Sequence, residues 1–165
     1  MLNWYALYIK SRHEFVTNSE LTKKGIETFL PVVRKRRQWK DRKKQIDFPL
    51  FPGYLFVHIK PRPEDFLTVM KARGTVTLLS AEPGCPTAIP SVEITSLRLL
   101  VESGKPIDIY PHLREGTRVI VRKGPLEGAE GTLKTKDDHC MFLVNVELLG
   151  RSIGVKIHAE DIETI

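Results

Sequence analysis

The sequence is short of everything that covalent or metal-assisted chemistry needs. Its two cysteines, Cys85 and Cys140, stand alone, without a CxxC spacing or a histidine cluster beside them. No zinc site or redox pair is therefore expected, and each thiol reads as idle. His13, His58, His112, His139 and His158 are scattered without ligand spacing, and no P-loop, GxSxG or HExxH pattern occurs. Binding rather than catalysis is expected, with no cofactor and no metal. Apolar runs stop short of the roughly 18 residues that a membrane span requires. Met1 to Tyr5 leads straight into strand-like sequence rather than a signal peptide. The expectation is a cytoplasmic protein with no membrane contact, in a compartment too reducing for disulfides.

What is present is positive charge, unevenly placed. The net charge is +6, but residues 1–106 carry 18 Lys+Arg against 10 Asp+Glu, while residues 107–165 carry 8 against 10. The first part has the electrostatic footprint of a polyanion binder and the second does not. Eight Lys/Arg fall within residues 34–44, RKRRQWKDRKK, with Trp39 as the one aromatic. That stretch is too charged for a core strand and reads as a protruding hairpin or loop.

A second feature is the segment Leu50-Phe51-Pro52-Gly53-Tyr54-Leu55-Phe56-Val57. It reads as a turn feeding a strand that is apolar on both faces. Leu55, Val57 and Ile59 point one way, and Tyr54, Phe56 and His58 the other. A half-covered sheet needs only one apolar face, so the other is either covered by protein or recruits a partner.

Around these features the elements alternate. Trp4–Lys10 reads as a strand, and Ser11 with Glu14 has the spacing of a capping box for a helix running to about Lys24, with Gly25 as its stop. Ile26–Val33 is extended, Pro61-Arg62-Pro63 opens a helix that Gly74 ends, and Val76–Leu79 is a strand. Ser91 reads as the cap of a third helix. Residues 104–113 hold two prolines and a glycine and read as a linker. Beyond it, short alternating strands punctuated by Gly116, Gly124-Pro125, Gly128, Gly131 and Gly150 predict a small SH3-like barrel. Val119, Val121, Val144, Val146 and Val155 favour strands there over helix.

In this order the motifs resemble the NusG family of transcription elongation factors. Trp4-Tyr5-Ala6-Leu7-Tyr8 is similar to the start of its N-terminal (NGN) domain, Phe51-Pro52-Gly53-Tyr54-Leu55-Phe56-Val57 to that domain's signature, and Arg114–Val119 with Lys123–Gly128 to its KOW module. Leu7-Tyr8 with Lys10, Pro49–Pro52, and Arg73-Gly74 with Val76 resemble the RfaH-like specialised branch. The resemblance implies an α+β chain: an NGN α/β sandwich with an antiparallel sheet at 1–104, a linker at 105–112, and an all-β KOW barrel at 113–165.

It also implies sites. Tyr8, Phe51, Pro52, Tyr54 and Phe56 would dock on the clamp helices of the largest RNA polymerase subunit, as an aromatic floor suits an apolar helical tip. Lys10, Lys23, Lys24 and Arg73 would face non-template DNA, while Val16 and Glu20 depart from the branch's polar or basic pattern. Arg36, Arg37, Trp39 and Lys40 of the basic stretch would grip nucleic acid through phosphates and stacking. Of the stretch that would meet the other large polymerase subunit, only Thr68 fits. Gly124, Pro125 and Gly128 form the KOW turn, whose module would bind a ribosomal small-subunit protein or the Rho factor. The expected protein is a monomeric elongation or antitermination factor. The rival reading, a ribosome-associated KOW-type RNA-binding protein, predicts a basic C-terminal module.

Overall fold

The computed structural model describes residues 1–39, 42–111, 116–136 and 139–165. The Trp-Tyr strand is β1 (Asn3–Ile9), followed by α1 (Glu14–Lys23), β2 (Glu27–Phe29), and a hairpin of β3 (Val32–Trp39) and β4 (Arg42–Pro49). β5 (Tyr54–Ile59), α2 (Pro63–Met70) and β6 (Thr75–Leu78) complete a first compact unit, Met1–Ile89. The second, Pro90–Ile165, holds α3 (Ser91–Glu102), β7 (Asp108–Pro111), β8 (Thr117–Val121), β9 (Glu130–Lys136), β10 (His139–Val146), β11 (Arg151–Ile157) and β12 (Ile162–Thr164). The fold is α+β with antiparallel pairing, as the sequence predicts.

In the first unit the four-stranded sheet has the order β2-β5-β1-β6. β1 and β5 run side by side from Asn3↔Ile59 to Tyr8↔Tyr54. Alternation then sends Tyr5, Leu7 and Ile9 to the same face as Leu55, Val57 and Ile59, where they pack with Leu21 of α1, Val69 of α2, Ala72 and Leu78. Each Leu, Ile and Val among them contributes about 1.5–3 kcal/mol through its removal from water. Tyr5 meets Phe66 of α2 edge-on at 5.2 Å. Pro63 at the start of α2 and Gly25 (φ +82°) after α1 act as read from the sequence.

Both predicted side-chain caps are absent. α1 begins after His13 with no side-chain cap bond, and Glu14 turns its carboxylate away, onto the backbone of Gly53. α3 is preceded by Pro90, and Ser91 is its first helical residue. The hairpin β3–β4 forms a separate two-stranded sheet paired from Val32↔Pro49 to Trp39↔Arg42. Its base is tied by the Leu50 N–H donating to the Pro31 carbonyl at 2.8 Å, both residues being buried.

In the second unit a six-stranded sheet has the order β12-β8-β9-β10-β11-β7. Phe142, Leu143, Val144, Ile153 and Val155 are buried within it. Two details differ from the linker-based boundaries. Residues 108–111, expected in the linker, form β7, an edge strand whose terminal Pro111 lacks only a donor that an edge can spare. α3, expected to end the N-terminal domain, groups with the sheet strands. The buried Ser96 hydroxyl accepts from the Glu130 N–H at 2.9 Å, and the Glu93 carboxylate accepts from the Glu147 N–H at 3.2 Å. Polar contacts of this kind carry no periodicity, so the sequence pattern does not announce them.

Gly131 sits where a Cβ would lie 2.2 Å from the Leu143 carbonyl oxygen, whereas a Cβ at Gly124 meets nothing within 4 Å. Gly131→Ala is therefore expected to destabilise the second unit by about 2 kcal/mol or more through forced backbone movement. Gly124→Ala should cost only the left-handed backbone penalty, about 1 kcal/mol. Urea unfolding of the two variants checks the order.

Candidate functional site

Phe51-Pro52-Gly53-Tyr54 is a tight turn closed by the Tyr54 N–H donating to the Phe51 carbonyl at 3.0 Å. Pro second and Gly third is the composition such a turn demands when the third residue has positive φ, and Gly53 is at +89°. The Gly53 carbonyl accepts from the Ile9 N–H at 2.8 Å, so the turn is stitched to the end of β1. A Cβ on Gly53 would approach the Tyr8 ring to 3.2 Å, which is a second reason for glycine. Tyr8 and Tyr54 are direct cross-strand partners with ring centroids 5.5 Å apart. Tyr8 is 42% exposed, Tyr54 is half-buried and Pro52 is exposed. Tyr8 and Tyr54 thus form an aromatic pair at one end of the two central strands, with Pro52 exposed in the turn that precedes Tyr54.

Phe51 and Phe56 do not belong to that surface. They are 1% and 0% exposed. Phe56 stacks with Phe29 at 6.0 Å and takes Phe51 edge-on at 6.3 Å. Its face was read correctly, since it lies opposite Tyr8's neighbour Ala6 and away from the Leu55 side. The error is one of depth: Phe56 is two residues inward from Tyr54, across from a side chain small enough to let neighbouring rings close over it. Further along the same face, Trp4 stacks on His58 at 4.5 Å, and His58 Nδ1 lies 2.7 Å from Glu27 Oε1. No motif in the sequence joins these three, because only the β1–β5 and β2–β5 registers bring them together.

The basic residues fall into two sets. Lys10, Lys24 and Arg73 converge around α1. The Lys10 N–H donates to the Gly74 carbonyl at 2.8 Å, next to Arg73. Glu20 accepts from the Arg73 N–H at 2.9 Å and pairs with Lys24 at 3.5 Å, and the Thr17 hydroxyl donates to the Arg73 carbonyl. Glu20 thus offsets the charge of Lys24. Lys23 is exposed at the last turn of α1. Arg36, Arg37 and Trp39 lie on β3 of the hairpin, and Lys40 lies outside the described residues. Arg34 at the base of the hairpin pairs with Asp47 across it at 3.2 Å.

α1 buries Glu14, Thr17 and Leu21 and leaves Phe15 and Val16 exposed. Its inner face is largely polar, so hydrophobic periodicity gives no sign of its orientation. In the second unit, Gly124 and Gly128 both have positive φ and frame a turn in which Leu126 is buried and Pro125 exposed. The Gly128 N–H donates to the Val121 carbonyl at 2.9 Å. The glycines there serve the backbone. Among the described residues no group of three His, Cys, Asp or Glu is placed to hold a metal ion. The Tyr110 phenol is pushed above its ordinary value, first by desolvation and then by Asp108, so it stays neutral at physiological pH.

The family described as "Transcription termination factor nusG" matches residues 2–98, a span that includes most of α3. The "Transcription termination/antitermination protein NusG" of Halalkalibacterium halodurans is 24% identical over 99% of this chain and 98% of its own length. That of Chlamydia pneumoniae is 26% identical over 94% of this chain and 90% of its own. The solved structure of Thermotoga maritima NusG has a TM-score of 0.52 at 23% identity, covering 100% of this chain and 98% of that one, and shows the shared fold.

Burial separates the aromatics under substitution. Phe56→Ala should lose about 3–5 kcal/mol of stability, as a buried aromatic does. Tyr8→Ala and Tyr54→Ala should each lose about 1 kcal/mol, the worth of one tilted ring pair at an open edge. Equal losses in denaturant titrations would contradict this division.

Proposed function

The chain belongs to the NusG family of transcription termination/antitermination factors, and from that premise we propose that its first unit binds RNA polymerase through Tyr8, Pro52 and Tyr54. The observation that carries this is the Tyr8–Tyr54 pair, two aromatic side chains held 5.5 Å apart at one end of the two central strands, with Tyr8 42% exposed. Aromatic rings on a rigid strand pair offer large contact area at little conformational cost. The tip of the polymerase clamp helices is the occupant that the family relationship supplies. Phe51 and Phe56 support this edge from beneath and do not contact the partner.

Binding of this kind works by favouring one state of the polymerase. A factor that holds the clamp closed disfavours pausing and premature termination by the difference in its affinity for the paused and active states. The hairpin β3–β4, with Arg36, Arg37 and Trp39, would reach DNA beside the docked edge, and Lys10, Lys24 and Arg73 would add phosphate contacts. The specialised RfaH-like branch is part of this proposal and rests on Leu7-Tyr8, Lys10 and the Pro49–Pro52 motif. The second unit would recruit a further protein, a ribosomal small-subunit protein or Rho. Its excess of acidic residues, 10 Asp+Glu against 8 Lys+Arg over residues 107–165, weighs against the rival RNA-binding reading.

Promoter-initiated transcription by purified bacterial polymerase, with and without this protein, tests the proposal. The protein is expected to shorten pauses or change readthrough at terminators, and Tyr8→Ala or Tyr54→Ala to raise the concentration needed about tenfold. No binding to polymerase and no change in pausing or readthrough would sink it. Co-purification of ribosomal RNA without polymerase would favour the rival.

A further inference from the structure

Glu14 is a carboxylate in an unexpected place. It is only 6% exposed, on the first turn of α1. Burial of a charged group is unfavourable unless hydrogen bonds compensate it. Here the N-terminal end of a helix favours the negative charge, and the Gly53 N–H donates to Glu14 Oε2 at 3.1 Å across 39 residues of sequence. The Gly53 peptide is thereby held on both sides: its N–H by α1, its carbonyl by the Ile9 N–H of β1. Gly53 in turn abuts the Tyr8 ring and precedes Tyr54. Next along α1, Thr17 and Glu20 grip the backbone of Arg73 in the neighbouring loop, so the inner face of this helix is given over to fixing loops.

We propose that Glu14 is a positioning residue for the docking edge: through the Gly53 amide it holds the Phe51–Tyr54 turn so that Pro52 and Tyr54 stand in register with Tyr8. The inference rests on the polymerase-docking reading above and adds to it a residue that touches no partner. A backbone donor left without its acceptor at this turn would let the turn rock, and a docking surface built from three side chains would lose its fixed spacing. Glu14 is also the residue whose spacing from Ser11 predicted a capping box, so its acidic character has a use other than the helix start.

The test uses the full chain with purified bacterial RNA polymerase, comparing wild type, Glu14→Ala, Glu14→Asp, Glu14→Gln and Tyr54→Ala. Polymerase affinity and amide hydrogen exchange at Gly53 are both read. Glu14→Ala should weaken binding about tenfold and speed Gly53 exchange by a similar factor, the worth of one charge-assisted bond, with the Leu7 and Val57 amides still protected. Glu14→Asp keeps the charge but withdraws the acceptor by one methylene, so it should behave as Glu14→Ala does, and it carries the comparison if the alanine variant does not fold. Glu14→Gln keeps an acceptor oxygen at full reach but not the charge, so it should lose about half of that energy and bind within about threefold of wild type. Unchanged Gly53 exchange in Glu14→Asp overturns the inference. So does unchanged affinity in Glu14→Asp when Tyr54→Ala binds weakly, or a Glu14→Gln variant as weak as Glu14→Asp. A Tyr54→Ala protein that binds as tightly as wild type overturns the docking reading instead, and the two failures are told apart by that variant.

Discussion

The first unit depends on one strand pairing, that of β1 with β5. These are the two central strands of the sheet, and the register Tyr8↔Tyr54 settles what every residue on them does. With side chains alternating, a slip of one position would send Tyr5, Leu7 and Ile9 out of the core and Trp4, Ala6 and Tyr8 into it. The core below and the aromatic edge above are therefore two consequences of the same alignment. The turn at Gly53 is its lock, because its carbonyl accepts from Ile9 at the point where the two strands part.

The same alignment explains why one segment can be apolar on both faces without being sticky along its whole length. Phe56 is paired across from Ala6, whose methyl leaves room for Phe29 and Phe51 to close around the ring. Tyr54 is paired with Tyr8 at the strand end, and Tyr8 is left 42% exposed. The rings that reach the surface, Tyr8 and Tyr54, carry a hydroxyl, which can keep water at one edge and apolar contact at the other.

Much of this was legible from residue pattern, and the exceptions share a cause. The strands β1 and β5, the start of α2 at Pro63, the stop of α1 at Gly25 and the strands of the second unit follow from alternation and turn chemistry. The family motifs pick out five residues around the Tyr8–Tyr54 pair, of which Tyr8, Pro52 and Tyr54 reach the surface. What the pattern could not give was depth along a face, which separates Phe56 from Tyr54, and long-range polar bonding. Glu14 to Gly53, Glu20 to Arg73 and Ser96 to Glu130 join residues 34 or more positions apart. Local rules assigned Glu14 to a capping box because that is the nearest backbone donor in sequence; the fold supplied a better one from another element. β7 was hidden for a related reason, since its one proline, Pro111, suits a linker and an edge strand equally well.

The charge has a similar division of labour. Apart from residues 34–44, the first 106 residues carry 10 Lys+Arg against 9 Asp+Glu. The polyanion footprint of the chain is thus almost entirely that of the hairpin, and the body of the unit is close to neutral. Within it, Glu20 pairs with Lys24 and accepts from the Arg73 N–H. Under the proposed function the two attachments then draw on different physics. Contact of the hairpin with DNA would be governed by counterion release and fall steeply with salt. Contact of Tyr8, Pro52 and Tyr54 with polymerase would be governed by buried area and be nearly indifferent to it. On that reading, a nearly neutral body would keep the aromatic surface from being drawn onto nucleic acid in the wrong orientation, and the apolar contact would set where the hairpin points.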